Sequence, residues 1–517
     1  GFSCFLLYGI TGSGKTEVYL DAVRSVVDRG RQALVLVPEI SLTPQLVHAL
    51  QQRFGKDVAV LHSGLPAGER HYNWWRARQG HAPVVLGTRS AVFAPLRRPG
   101  LIIVDEEHDS SYKQQDGLRY HARDVAVYRA KLEDVPVVLG SATPSLESMR
   151  NAAEGRYRRL DLTTRAKGSS LPAIRYIDMR RAAAQDGISS ALFEALDHRL
   201  ARSEQSLIFI NRRGYAPVWT CYGCGWHAQC DRCDSHLTLH RSINRLLCHH
   251  CGRDLAPQTE CPSCQGTHLG PLGAGTQRLE DGLAKRLPAA RIVRIDRDST
   301  RRKGALESSL DAARNREADI LVGTQLLTKG HDFPWVTLVG VVNADQGLYS
   351  VDYRATEQLF QQLLQVAGRA GRDVHAGEVL IQTMYPEHPV FQDLARHDYS
   401  RFAEYALAER EAAGYPPFSR FALMRAESTR ADTALEFLDA ARRKLIGDID
   451  PKRVRVMDVV RAPMEKRAGR YRAQLLLSAP DRGALRDALR PWLAWIETWR
   501  ESKKVRWSID VDPVDMY

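Results

Sequence analysis

Eight of the nine cysteines of this 517-residue chain fall between Cys221 and Cys264. They form four Cys-x-x-Cys pairs: Cys221/Cys224, Cys230/Cys233, Cys248/Cys251 and Cys261/Cys264. A two-residue gap lets two thiolates on one tight turn reach the same ion. Two such turns complete a tetrahedral sulfur site, so four imply two zinc ions. A disulfide framework competes with this reading, but no secretory signal accompanies the cluster and only Cys4 lies outside it.

Four turns can be paired in three ways. Fourteen residues separate Cys233 from Cys248, enough for a short hairpin such as Leu237 to Leu247, so Cys230/Cys233 with Cys248/Cys251 fits a zinc ribbon. Cys221/Cys224 then joins Cys261/Cys264 in a nested arrangement. Sequential pairing would leave only five residues to turn the chain inside the first site. Eight thiolates already complete two sites, which leaves His227, His249 and His250 as bystanders.

A chain this long exceeds one core and suggests three or four domains. No apolar run approaches the length of a membrane span, and a cytoplasmic location is expected. Lys and Arg number 73 against 61 Asp and Glu, a net charge of +12. That balance suits a partner carrying phosphates. The chain begins at Gly1 without methionine, and its first strand runs directly into a phosphate-binding motif, as expected of a fragment of something longer.

That motif is Gly9-Ile10-Thr11-Gly12-Ser13-Gly14-Lys15-Thr16, between an apolar strand at Phe5 to Tyr8 and an amphipathic helix. Its glycines let backbone N–H groups curl around a β-phosphate; Lys15 neutralises the β/γ-phosphates and the Thr16 hydroxyl is placed for Mg²⁺. Leu101 to Val104 reads as a buried parallel strand ending in Asp105-Glu106-Glu107-His108. Asp105 can hold Mg²⁺ through water and Glu106 can polarise an attacking water. Leu34 to Val37, Val84 to Leu86 and Val137 to Gly140 complete a set of buried strands, the last leading into Ser141-Ala142-Thr143. Loops Pro38 to Gln45 and Gly87 to Ala91 carry hydroxyl, amide and basic groups suited to DNA phosphates.

The β/α rhythm resumes at Leu207 to Ile210, followed by Asn211 to Tyr215, and continues after the cysteines at Ile292 to Ile295, Ile320 to Gly323 and Val336 to Val342. Two further motifs are Thr328-Lys329-Gly330-His331-Asp332 and Gln365-Val366-Ala367-Gly368-Arg369-Ala370-Gly371-Arg372. Arg369 and Arg372 are three apart, so on a helix both project from one face and can neutralise γ-phosphoryl charge across a cleft.

Together these motifs resemble a superfamily 2 DEAH-type helicase and, through the cysteine insertion, the PriA family of bacterial replication-restart helicases (primosomal protein N′). The resemblance runs almost end to end. It implies two RecA-like P-loop lobes of α/β fold, a two-zinc cysteine-rich insertion in lobe 2, and a C-terminal α/β domain. It implies ATP with Mg²⁺, a nucleotide site that includes Gly330 and Asp332, and the same nested zinc pairing. The implied activity is 3′-to-5′ unwinding at abandoned forks, with single-stranded DNA-binding protein and other primosome proteins as partners in the bacterial nucleoid. Family chains carry an N-terminal DNA-binding region and winged helix that are not expected here. A monomer is expected. The rival reading is a non-catalytic platform on a dead motor fold; the intact Lys15, Thr16, Asp105, Glu106, Arg369 and Arg372 oppose it.

The expected domains are lobe 1 at 1–160, lobe 2 at 161–218 and 271–398, the zinc insertion at 219–270 and a basic domain at 399–517. A polar loop from Asp109 to His121 bears Tyr112 and Tyr120, and base stacking is its favoured reading over packing on its own lobe. Trp219, Tyr222 and Trp226 are read as filling the thin zinc-module core. Residues 451–506 hold fifteen basic and six acidic side chains, a surface for phosphates or an acidic protein tail. Trp492, Trp495 and Trp499 recur at helical spacing and are read as core.

Overall fold

A computed structural model of the protein describes residues 1–516 except 39–43, 166–170, 212–217, 232–236, 241–243, 249–252, 272–275, 296–304, 325–326, 328–332, 349, 351 and 372–376. The first seven strands are β1 (Cys4–Gly9), β2 (Gln32–Leu36), β3 (Val58–Leu61), β4 (Val84–Gly87), β5 (Pro99–Asp105), β6 (Val137–Ser141) and β7 (Arg158–Leu162). They form one parallel sheet in the order β3-β4-β2-β5-β6-β1-β7. Strands β2 and β4 are buried along their whole length, as continuous Val/Leu runs covered by helices on both faces require. The register pairs Leu7 of β1 with Gly140 of β6, and Gly140 with Asp105 of β5. The phosphate-binding loop after β1 and the acidic box after β5 therefore share the carboxyl edge of the sheet, where open α/β folds bind ligands.

Lobe 2 begins at β8 (Ala173–Asp178). A short antiparallel pair follows, β9 (Ala184–Gln185) with β10 (Ile188–Ser189), and then β11 (Gln205–Ile210). After the cysteine region come β17 (Ile292–Ile295), β18 (Ile320–Gly323), β19 (Val336–Val342) and β20 (Glu378–Thr383). The second parallel sheet has the order β17-β18-β11-β19-β20-β8. The cysteine module leaves at the end of β11 and returns before the helix Thr276–Arg286. It comprises β12 (Trp219–Cys221) paired with β16 (Leu269–Pro271), and a small sheet of β13 (Thr238–His240), β14 (Arg245–Leu247) and β15 (Asp254–Leu255).

The carboxyl-terminal domain is antiparallel: β21 (Arg420–Ser428), β22 (Arg455–Val456), β23 (Val460–Arg467), β24 (Arg470–Ala479) and β25 (Arg506–Val511). The helices Ala431–Asp448 and Arg482–Thr498 cover it. Trp492 is buried there and its indole N–H donates to Ala441 O at 2.9 Å. Trp499 stacks between Trp495 and Phe437, so all three tryptophans pack against this core. One expectation shifts. The helix Tyr399–Ala412 buries Tyr399, Phe402, Ala403 and Ala406 in the cluster shared by the two lobes, and the terminal domain's own core begins at Ala422. Its apolar face faces Phe360 of lobe 2, with the rings of Phe360 and Phe402 stacked 4.2 Å apart. Among the described residues no helix is long and apolar enough to cross a membrane.

Candidate nucleotide cleft and cysteine centre

The loop after β1 is built around backbone that a side chain would obstruct. Gly12 and Gly14 adopt φ of 80° and 88°, the left-handed region that favours glycine. A Cβ at Gly9 would lie 2.6 Å from Ser13 Oγ and 2.9 Å from Lys15 Cγ. Lys15 opens the helix Lys15–Val27 and its ammonium donates to Gly9 O at 2.6 Å, inside the loop where a phosphate would be cradled. Thr11, Ser13 and Thr16 belong to the same strand–loop–helix turn.

Asp105 ends β5 with its Oδ1 accepting from Tyr19 Oη at 2.9 Å. Tyr19 reaches it over Gly140, where a Cβ would lie 1.6 Å from the phenol oxygen. Burial and then the neighbouring Glu106 push the Asp105 carboxyl up to about 6, against the pull of Lys15. Glu106 sits at φ 46°, a strained setting of the kind found at functional residues. Its carboxylate lies 3.6 Å from His108 Nδ1.

Of the next two residues of the box, Glu107 is bonded within lobe 1 and His108 reaches across to lobe 2. Glu107 is fully buried and accepts from Ser145 N, Ser145 Oγ, Ser148 Oγ and Arg123. His108 Nδ1 lies 2.7 Å from Ser141 Oγ, and its Nε2 lies 2.9 Å from Gln365 Nε2 of lobe 2.

Gln365 is one of three polar residues at four-residue spacing on the helix Ala355–Ala367. Glu357 accepts from Leu146 N at 3.0 Å and from Arg410 at 2.7 Å, and Gln361 donates to Thr143 O at 3.3 Å. A second, half-buried ion pair joins Arg354 to Glu147 at 2.7 Å. Glu357 and Gln361 were not among the residues singled out from sequence, and Glu107 and Gln365 stood in named motifs without a role of their own. The available signal was that Glu357, Gln361 and Gln365 fall at four-residue spacing among buried apolar residues of this helix.

The helix ends at Ala367, capped by Gly368. A Cβ on Gly368 would lie 3.0 Å from Thr11 of the phosphate loop, so the turn carrying Arg369 abuts that loop. Arg369 is buried in this turn. It does not lie on a helical face as the three-residue spacing suggested, because Gly368 ends the helix and Gly371, at φ 62°, turns the chain back to β19. Arg372, Gly330 and Asp332 lie outside the described residues, as does most of Pro38 to Gln45.

Both tyrosines of the loop are packed, whereas Gln115 to Leu118 between them are exposed. Tyr112 is fully buried and its hydroxyl donates to Asp105 O at 2.7 Å, so it cannot stack on a base without leaving the core. Arg89 of the Gly87 to Ala91 loop donates to Ser111 O and Lys113 O. Lys113 is 2% exposed, pairs with Asp510 at 2.7 Å and donates to Val511 O and Asp512 O, which ties the loop to the terminal domain. Tyr120 meets the edge of Phe93 at 4.9 Å.

In the cysteine module the pairing of β12 with β16 brings its two ends together. The sulfurs of Cys221, Cys224, Cys261 and Cys264 all lie within 4.8 Å of one another. Cys221–Cys264 and Cys224–Cys261 are each 3.6 Å apart, far beyond a disulfide bond of about 2.05 Å. Four thiolates at about 2.3 Å from a tetrahedral zinc stand ~3.8 Å from one another, so this donor set fits that ion. Cys230 and Cys248 are buried together with Leu237, Leu239 and Leu246, at the two ends of the β13–β14 hairpin. Cys233 and Cys251 lie outside the described residues, as do His249 and His250. His227 turns to Tyr385 of lobe 2, its Nδ1 3.3 Å from the hydroxyl. Trp219 and Trp226 pack against the module's cluster, while Tyr222 is exposed.

Comparison with known proteins matches residues 3–152 to the DEAD/DEAH box helicase family and 274–374 to the helicase conserved C-terminal domain. Residues 230–254 match the PriA DNA helicase Cys-rich region domain, and 411–514 the primosomal protein N C-terminal domain. The replication restart protein PriA of Haemophilus influenzae is 46% identical over 520 residues, which cover 100% of this chain and 70% of that protein. The Bacillus subtilis protein of the same name is 43% identical, over 99% of this chain and 64% of its own length. The Treponema pallidum protein is 39% identical, over 100% and 78%.

Proposed function

The chain belongs to the PriA family of replication-restart DNA helicases, and from that premise we propose that it is an ATP-driven motor that moves 3′ to 5′ along single-stranded DNA and unwinds forked DNA. The observation that supports this most is the convergence of three motifs on one cleft. The phosphate loop, the Asp105–Glu106 pair and the Gly368–Arg369 turn come from separate strands and both lobes, and Thr11 touches Gly368. Hydrolysis there changes what both lobes hold, which is how a bond broken in the cleft becomes motion along DNA.

In this reading Lys15 and the loop N–H groups take the β- and γ-phosphates, and Thr16 with Asp105 would hold Mg²⁺, which supplies charge neutralisation. Glu106 orients and deprotonates the attacking water. Arg369, with Arg372, offsets charge on the transferred phosphoryl oxygens. Gly330 and Asp332 complete the nucleotide contacts. His108 is the positioning residue that ties the state of the acidic box to Gln365. The cysteine module holds two zinc ions in the nested pairing. Forked DNA, single-stranded DNA-binding protein and primosome proteins are the partners, met in the bacterial nucleoid.

Glu106→Gln tests this reading. ATP should bind with near-normal affinity while DNA-stimulated hydrolysis falls by about 10²- to 10⁴-fold, and strand separation should stop. Lys15→Ala should lose nucleotide binding itself. Turnover by Glu106→Gln close to that of the unaltered chain would remove Glu106 from its role. Absence of any ATPase in the unaltered chain would favour the dead platform.

A further inference from the structure

The helix Ala67–Gln79 lies against the edge strand β3 and buries only Asn73 and Ala77. Asn73 donates from Nδ2 to Val60 O at 3.0 Å, which fixes which side faces the sheet. Away from the sheet stand three large aromatic side chains that do no core work: Trp75, 44% exposed, lies opposite Asn73, with Trp74 at 36% and Tyr72 at 60% on its two flanks. Exposed aromatics this concentrated mark a binding surface more often than chance decoration.

Their neighbours decide which kind. His71, Trp74, Trp75 and Arg78 recur at helical spacing along one stripe, and His71 lies parallel to Trp74 at 6.4 Å. Arg78 stands 5.6 Å from the centre of the Trp74 ring, and Arg76 5.7 Å from that of Tyr72. Arg97 reaches the end of the helix, its guanidinium 3.4 Å from Gln79 O. Against Arg70 and Arg78, with Arg76 already paired to Asp57 at 3.0 Å, the helix carries one acidic residue, Glu69. Rings interleaved with guanidinium groups match an unpaired strand, whose bases stack while its phosphates are neutralised. A duplex hides those base faces.

We propose that this helix is a second platform for single-stranded DNA on lobe 1, outside the nucleotide cleft. In the sheet order β3 stands five steps from β1, roughly 24 Å at about 4.8 Å per strand. A strand held there is therefore gripped away from the ATP chemistry, and the platform adds a contact that does not depend on lobe closure. It rests on the motor reading above, because only a protein that handles unpaired DNA has use for it.

The test is the anisotropy of a fluorescein-labelled oligodeoxythymidylate. Trp74→Ala with Trp75→Ala should raise Kd by at least about tenfold without moving the thermal transition. Trp74→Phe with Trp75→Phe, which keeps ring faces, should restore binding to within about threefold. Arg70→Gln with Arg78→Gln should weaken binding and flatten its dependence on salt by about one phosphate contact each. Unchanged affinity in the alanine variant would overturn the proposal and leave a protein partner as the use of the face. Equal losses in the alanine and phenylalanine variants would overturn it as well. Should the alanine variant fail to fold, unaltered affinity and salt dependence in the arginine variant would be decisive against it. An unaltered chain that does not bind the oligonucleotide at all would instead refute the motor reading.

Discussion

The interlobe cleft and the cysteine module are held together by opposite means. Across the cleft Glu357, Gln361 and Gln365 each find a partner on lobe 1, within a hydrophobic cluster that gathers strands from both sheets. The described part of the module has a cluster of six buried side chains, two of them Cys230 and Cys248. A core that thin is below what a domain needs to fold alone, so its organisation must come from the thiol groups that converge on one point. The lobes are held by packed strands and paired buried polar groups, whereas the module is a loop-rich segment that relies on its convergent thiols.

Metal loss should give the largest effect. Apparent zinc-binding energies of about 10–16 kcal/mol are folding energies in modules of this kind. Cys221→Ser with Cys261→Ser should halve the zinc found by elemental analysis, from two per chain to one, and expose the module's amides to rapid hydrogen exchange. The strands of the two lobes should keep their protection. Unwinding should suffer more than DNA-stimulated ATP hydrolysis. If both fall in proportion, the module is part of the motor and the contrast drawn here is wrong.

A smaller effect is expected where the cleft's own joints are cut. Glu357 and Arg410 are 4% and 5% exposed, and removing one member of such a pair leaves a buried charge without its partner. Glu357→Ala should destabilise the chain by ~3–5 kcal/mol, read from urea unfolding. Glu357→Leu with Arg410→Met should recover most of that loss, because an apolar pair of similar volume no longer strands a charge. A single-variant cost below about 1 kcal/mol, the value of a surface pair, would place the lobes' cohesion in the apolar cluster alone.

What could be read from the chain divides along the same line. The strands flanking the phosphate loop and acidic box were legible because buried parallel strands are continuous apolar runs, and Gly12 and Gly14 mark backbone that only glycine adopts readily. The spacing of the cysteines carried the chemistry of the module and part of its fold, since the hairpin within Leu237 to Leu247 and the meeting of Cys221/Cys224 with Cys261/Cys264 are both present. Three features escaped. Glu107 looked like one more acid in the box, yet its partners Ser145, Ser148 and Arg123 are distant in sequence. Tyr112 looked like a stacking residue, since nothing local shows that the terminal domain, through Asp510, pins the loop beside it. Arg369 was placed on a helix by spacing alone, whereas the glycines around it end that helix.

The smallest expected effect concerns proton sensitivity at the cleft's outer wall. His121 is half-buried behind the acidic box, in a cavity of about 640 Å³ where both lobes and the terminal domain meet, and its buried Nδ1 has no hydrogen-bond partner among the described residues. Burial first, and the Arg123 charge second, push its imidazole down to about 3 from about 6.5. Lys113 and Arg354 add to the push and Asp124 opposes it. Since the folded value lies below the unfolded one, the neutral ring contributes stability that is full above pH 6.5 and is lost as pH falls toward 3. Asp105 runs the other way: its folded value of about 6 exceeds its unfolded one of 3.8, so acid returns stability over that window. Comparing the chain with His121→Gln cancels the Asp105 contribution, which is common to both. Between pH 6.5 and 5 the unaltered chain should lose about 2 kcal/mol more than the variant, at about 1.4 kcal/mol per pH unit, measured by urea unfolding at fixed ionic strength. Parallel curves would mean that protons reach His121 without unfolding its surroundings, and that this wall of the cleft is as loosely built as the module.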